Sequence, residues 1–294
     1  MKEQHPRSIA QGLESQGYVA DEELATVIFL LLRLGRPLLI EGHAGVGKTE
    51  VANALAGWLG CELIRLQCYE GLDVHSAVYE WNYQKQLLAI QLQKGSDSSL
   101  EEKEAHVFGR QFLLERPLLR SITAQDGPPV LLIDEIDRAD EEFEAFLLEL
   151  LSAFQISIPE LGTIHARHKP HVILTSNRTR DLSDALKRRC LYCWIEYPSL
   201  DKELAIVRKR LPGIDRQLAA QVVKVVQALR RKKLSRSPGV AETLDWAMAL
   251  TALGKEQIDS QSLRQTIGCL IKSQQDLDAL NAEELKEVLT LADS

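Results

Sequence analysis

At 294 residues the chain has room for two domains of ordinary size or one large one. Its 45% hydrophobic and 26% charged residues describe a globular protein that needs no disulfide or metal staple. A net charge of −7 gives no overall attraction to nucleic acid or anionic lipid, and the richest apolar stretch, residues 27–32, stops at Arg33, far too short to span a bilayer.

Residues 21–34 read as a helix, with Asp21 at its start and Gly35 as its stop. The apolar run 37–40 reads as a buried strand closed by a glycine-rich turn. Helical spacing returns over 48–59, with Val51, Leu55 and Leu59 on one face, and a second strand fits 62–67. Strand, loop, helix, strand is the opening of a parallel α/β sheet. The segment 70–127 is an insert: 79–93 looks like an amphipathic helix and 94–104 like a polar surface loop. Residues 130–133 form another buried-strand run, 141–154 a strong helix, and 155–166 a β-hairpin around Pro159 and Gly162. Strands at 172–175 and 191–195 complete a five-stranded sheet. After Pro198 the pattern is helical throughout, with helices expected at 201–210, 216–233, 238–253 and 277–291. Ser237 and Pro238 read as the N-cap and first residue of the third of these. The expected division is an α/β domain over 1–198 and a small all-helical domain over 199–294.

The chemistry gathers at the ends of the predicted strands. Gly42, His43, Ala44, Gly45, Val46, Gly47, Lys48 and Thr49 match G-x-x-x-x-G-K-[ST] at every fixed position, between a strand and a helix, with Glu50 next. Glycines let backbone N–H groups wrap a phosphate, and the helix N-terminus adds positive dipole. Lys48 reaches the outer phosphates, and the Thr49 hydroxyl can ligate Mg²⁺. The run 130–133 ends in Asp134 and Glu135: the first can hold the metal's shell, the second can polarise a water for attack on the γ-phosphate. Read alone, these acids could equally be a helix N-cap cluster. Asn177 ends a third strand, where an amide can orient that water. Lys187, Arg188 and Arg189 precede the last strand, either as a solvated patch or as an arginine finger for a neighbouring subunit.

These segments together resemble the AAA+ ATPases, and within them the MoxR family. GHAGVGKTE, LLIDEIDRAD, the TSN at 175–177 and ALKRRC at 185–190 carry the resemblance, which covers about residues 20 to 255. SPGVAETLDWA at 237–247 is similar to the CoxD-type branch linked to carbon monoxide dehydrogenase maturation. The resemblance implies a P-loop AAA+ domain with a five-stranded parallel sheet and a helical lid. It implies ATP and Mg²⁺ as cofactors, with Walker A at 42–49 and Walker B at 130–135. Asn177 would be sensor 1, with fingers among Arg188 and Arg189. It also implies a ring, commonly hexameric, a metalloenzyme client and a partner with a von Willebrand factor A domain. The chain departs from the family at Cys190, where an aromatic is usual, and at Gly239, where many members place a sensor 2 arginine. Arg236 could substitute, or the lid could sense nucleotide in another way.

Other features have plainer readings. The five cysteines, an odd number without a signal-like N-terminus, fit a reducing, cytoplasmic setting. Cys190 and Cys193, three apart on a strand, point to opposite faces and read as buried free thiols. His165, His168 and His171 read as a polar hairpin arm, and the basic run 230–236 as the end of a helix. Trp81 and Tyr83 are either client anchors or local core. The function expected is Mg²⁺-dependent ATP hydrolysis that remodels or matures a partner metalloenzyme. A motor on nucleic acid and a P-loop kinase are the alternatives; the acidic charge speaks against the first, the helical domain and Arg188-Arg189 against the second.

Overall fold

The computed structural model describes residues 5–92, 99, 106–280 and 282–293. The loop expected at 94–104 falls, but for Ser99, outside the described residues. Among them the strands run β1 (Leu38–Gly42), β2 (Leu63–Gln67), β3 (Tyr79–Trp81), β4 (Leu113–Glu115), β5 (Val130–Asp134), β6 (Gln155–Ile158), β7 (Gly162–His165), β8 (His171–Ser176) and β9 (Leu191–Ile195). The described residues pack as two units. One takes those up to Ile9, Glu22–Glu41 and those from Leu55 to Cys193; the other takes Ala10–Asp21, Gly42–Ala54 and those from Trp194 onward.

In the first unit a five-stranded parallel sheet has the order β2-β5-β8-β1-β9. Parallel neighbours need crossover segments, and those cover the sheet, so β1 and β5 are buried at every position. That is why these strands read as unbroken apolar runs rather than alternating ones. The helix Glu141–Ala153 buries Phe143, Leu147, Leu150 and Leu151 in the same core as Leu131 and Ile133. Asp140 caps it, accepting from Phe143 N–H at 2.8 Å. The register pairs Glu41 with Ser176 and Ile133 with Leu174, so the carboxyl ends of β1, β5 and β8 share one edge. Ligands of open α/β sheets bind at such an edge.

The second unit is helical from Leu200 onward: Leu200–Arg210, Arg216–Arg230, Val240–Ala252, Ser260–Thr266, Gln274–Ala279 and Ala282–Asp293. Trp246 is fully buried among Val222, Val226, Leu250 and Leu263, and its indole N–H donates to Thr266 Oγ1 at 2.7 Å. Ser199, Asp215 and Asp259 cap three of these helices with side-chain oxygens.

Several expectations are corrected. Residues 79–81 are a strand, not the start of a helix: β3 pairs antiparallel with β4, and the helix begins at Tyr83. Aromatic side chains favour that pairing, with Trp81 buried against Tyr79 and Phe108, while Tyr83 is exposed. Pro238 is not the first helical residue. The helix starts at Val240, with Gly239 as its cap and the Glu242 carboxylate accepting Gly239 N–H at 2.9 Å. The expected helix 216–233 ends at Arg230, and that over 277–291 is two helices interrupted at Leu280. Of the three histidines only His165 lies on the hairpin arm; His171 opens β8, and burial lowers its pKa. Cys190 and Cys193 are buried and not joined in a disulfide, as expected.

Candidate functional site

The phosphate-type loop belongs to the unit that holds the C-terminal helices. Gly45 and Gly47 take left-handed backbone, with φ of +74° and +93°, which bends the loop back on itself. Lys48 is buried, and its Nζ donates to the carbonyl oxygens of Gly42 (2.8 Å) and His43 (2.7 Å). The helix Lys48–Leu59 starts here, so its positive dipole end lies at the loop. Glu50 turns away, pairing with Arg210 and accepting from Asn53 Nδ2 at 3.0 Å.

The C-terminal helices meet this loop through backbone. Gly45 O accepts from Val240 N–H at 2.8 Å and from Ala241 N–H at 3.3 Å, the first donors of the helix Val240–Ala252. A Cβ on Gly239 would stand 2.8 Å from Gly45 Cα and 2.9 Å from Ala44 O, both backbone atoms. Glycine at 239 is therefore the residue that allows this approach. Arg236 is exposed, its amide held by Asp276 at 3.3 Å. The His43 ring lies flat on Tyr197, with centroids 4.7 Å apart and planes 6° off parallel, and meets Trp194 edge-on at 5.7 Å.

The acidic edge belongs to the sheet unit. Asp134 is buried at the end of β5, where its Oδ1 accepts from Thr175 Oγ1 (2.5 Å) and its Oδ2 from Arg65 Nη2 (2.5 Å). Thr175 Oγ1 also accepts from Glu135 N–H at 2.9 Å. Glu135 has left-handed backbone (φ +55°), and that turn lifts its carboxylate out of the strand. Its side chain is 32% exposed, 3.1 Å from Arg138 Nη1, with the Asn177 Nδ2 amide 3.5 Å from its Oε1. Asp137 is buried and accepts from Asn177 N–H, Thr179 N–H and Thr179 Oγ1, which fixes the turn that carries Asn177. A cleft of about 540 Å³ opens here, lined in part by Glu135, Asp137, Asn177 and Arg180. Burial, reinforced by the carboxylates of Asp134, Asp137 and Glu135, pushes the Cys68 thiol up to about 12.

The two arginines of ALKRRC differ. They end the short helix Asp184–Arg189. Arg189 is held by its own chain, donating to Ser152 Oγ (2.6 Å) and Ala185 O (2.9 Å). Arg188 is exposed, and its guanidinium has no partner among the described residues. Sequence reasoning missed Arg65, Thr175 and the anchoring role of Asp137. An arginine inside a predicted strand was the one available signal for Arg65. It also missed that Arg230 is buried rather than a solvated cation of the basic run.

The loop offers what a triphosphate needs: a left-handed turn, a helix N-terminus and a lysine. Among the described residues no group of three or more His, Cys, Asp or Glu could hold a metal alone. A divalent ion here would have phosphate oxygens as partners beside one or two side chains, as is usual for Mg²⁺.

Comparison with known proteins agrees with the fold. Residues 37–190 match the family described as AAA domain (dynein-related subfamily), and the chain belongs to it. The family and the fold define an ATPase. An uncharacterized protein of Staphylococcus haemolyticus is 24% identical over 224 residues, spanning 74% of this chain and 77% of its own. One of Staphylococcus epidermidis is 26% identical over 206 residues, spanning 68% and 70%. Two solved variants of RuvB from Thermotoga maritima share the fold at 16% identity, with TM-scores of 0.52 and 0.51. They cover 87% and 85% of this chain and 71% and 69% of theirs. No helix among the described residues is long and apolar enough to cross a membrane.

Proposed function

We propose that this chain hydrolyses ATP at residues 42–49 and uses the energy to remodel a partner protein. The loop and Lys48 bind the phosphates; Thr49 and Asp134 would hold Mg²⁺, which supplies charge neutralisation at the phosphoryl oxygens. Glu135 takes a proton from the attacking water, the water oxygen bonds to the γ-phosphorus, and ADP leaves. Asn177 orients that water. The observation that carries this reading is Glu135 itself, a part-exposed carboxylate raised on left-handed backbone with an amide 3.5 Å away. Arg188, exposed and with no partner for its guanidinium among the described residues, is the finger we assign ahead of Arg189, acting on a neighbouring subunit's nucleotide. AAA+ proteins commonly assemble as hexameric rings, and a finger in trans requires such an assembly. Residues 1–198 are read as the ATPase domain and 199–294 as its lid. The MoxR family, and its CoxD-type branch, is the closer placement we favour. On it rest a metalloenzyme client, such as a molybdenum hydroxylase, and a von Willebrand factor A partner.

Two measurements test this. Glu135→Gln is expected to keep ATP binding by calorimetry while single-turnover hydrolysis falls at least about 10²-fold, the scale of a lost general base. Turnover near the parent rate removes Glu135 from the role. In the second, an Arg188→Ala variant is mixed with Lys48→Ala, each slow alone. Recovered hydrolysis supports a finger in trans; no recovery in rings shown to be mixed rejects it. Adding duplex or single-stranded DNA to the same assay separates a protein remodeller from a nucleic-acid motor.

A further inference from the structure

The segment from Trp194 onward touches the phosphate loop of the same unit at two points that lead to Arg230. At one, Gly239 packs on Gly45; the residue before it, Pro238, gives its carbonyl oxygen to Arg230 Nε at 2.7 Å. At the other, the His43 ring stacks on Tyr197, and the Arg230 guanidinium lies over the Tyr197 ring with Cζ 4.7 Å from the centroid. Arg230 cannot drift from either. It is 6% exposed and makes a two-pronged pair with the fully buried Glu203, at 2.6 and 2.7 Å. Glu203 in turn accepts from Gln227 Nε2 and Thr243 Oγ1, both at 2.7 Å. A planar fork locked on a carboxylate fixes the guanidinium plane, and so fixes the aromatic ring beneath it.

We propose that Tyr197 is a positioning residue through which the segment from Trp194 onward holds the phosphate loop in its nucleotide-binding form, by stacking on His43. Tyr197 touches no phosphate in this role; it acts on the loop backbone through the His43 side chain. This role rests on the reading of residues 42–49 as the ATP site.

The experiment uses the full chain, with ADP and ATP as probes in titration calorimetry and ATP in steady-state hydrolysis. Tyr197→Leu removes the ring while keeping apolar bulk. It is expected to weaken nucleotide binding about five- to tenfold and to raise KM alike, with kcat within about twofold, the scale of one lost stack and one lost cation–π contact. Tyr197→Phe keeps the ring and is expected to bind as the parent does. His43→Ala attacks the same stack from the loop side and covers the case in which Tyr197→Leu does not fold. The double variant His43→Ala/Tyr197→Leu is expected to bind no worse than the weaker single, because two residues of one contact are not additive. Parent-like affinity in Tyr197→Leu, a Phe variant as weak as the Leu one, or fully additive losses overturn the proposal. So does parent-like affinity in His43→Ala, should that variant alone be foldable. If the parent binds neither nucleotide, the ATP-site reading itself falls, and this one with it.

Discussion

Asp134 and Glu203 are both buried carboxylates held by one arginine, one in each unit, yet the two pairs are built differently. Arg65 meets Asp134 from the surface, with its side chain 52% exposed, so it can leave for water. Arg230 meets Glu203 from within, at 6% exposure, gripped by both prongs and by Pro238 O. A pair with one solvated partner is cheap to open, whereas a fully desolvated pair is costly to break by removing one member. Exposure of the cation, more than burial of the acid, separates a carboxylate that can change partners from one that fixes geometry.

The largest effect is expected of Arg230→Met. It leaves Glu203 buried and unpaired, and is expected to cost about 3–5 kcal/mol of unfolding free energy in urea. The double variant Arg230→Met/Glu203→Gln is expected to regain part of that loss. A single variant within about 1 kcal/mol of the parent removes the distinction drawn here.

Gly239→Ala probes the same unit at its backbone contact. The added Cβ meets Gly45 Cα and Ala44 O, which cannot move without shifting the loop. We expect a loss of about 1–3 kcal/mol, the usual range for overpacking, and weaker ATP binding. Gly239→Arg is expected to bind ATP worse than Ala does, since it carries the same Cβ and a bulkier chain.

The smallest effect belongs to the open pair. Arg65→Gln takes the guanidinium away from Asp134 Oδ2 and removes a cation from the acidic edge. We expect the Mg²⁺ concentration for half-maximal ATP binding to fall about two- to fivefold, the scale of a half-exposed ion pair, with thermal stability near the parent's. A rise in the Mg²⁺ requirement would mean that Arg65 orients Asp134 rather than competes for it.

Much of the sheet unit could be read from the chain because its elements are local. β1, β5 and β8 are apolar runs that end in polar residues. The helix Lys48–Leu59, which runs from the other unit into this one, has the bounds its periodicity suggests. The insert was harder. Residues 79–81 carry an apolar pattern compatible with either helix or strand, and only pairing with Leu113–Glu115, more than thirty residues on, decides between them. The start at Val240 was missed for a similar reason. Ser237-Pro238 is a good local helix opening, but Pro238 O is taken by Arg230, and the Glu242 carboxylate draws the cap to Gly239.

From sequence alone came the phosphate-loop motif, the acidic strand end, the five strands of the main sheet and the change to helices after Pro198, because each follows from residue order over a few turns or one strand. The tertiary structure alone decided that Arg230 is buried while Arg188 is not, and that Asp137 anchors the Asn177 turn. It alone decided that Gly239 lies against Gly45. Burial and partner choice depend on what other segments bring to a residue, and no local pattern distinguishes a cation at a helix end that meets water from one that meets Glu203.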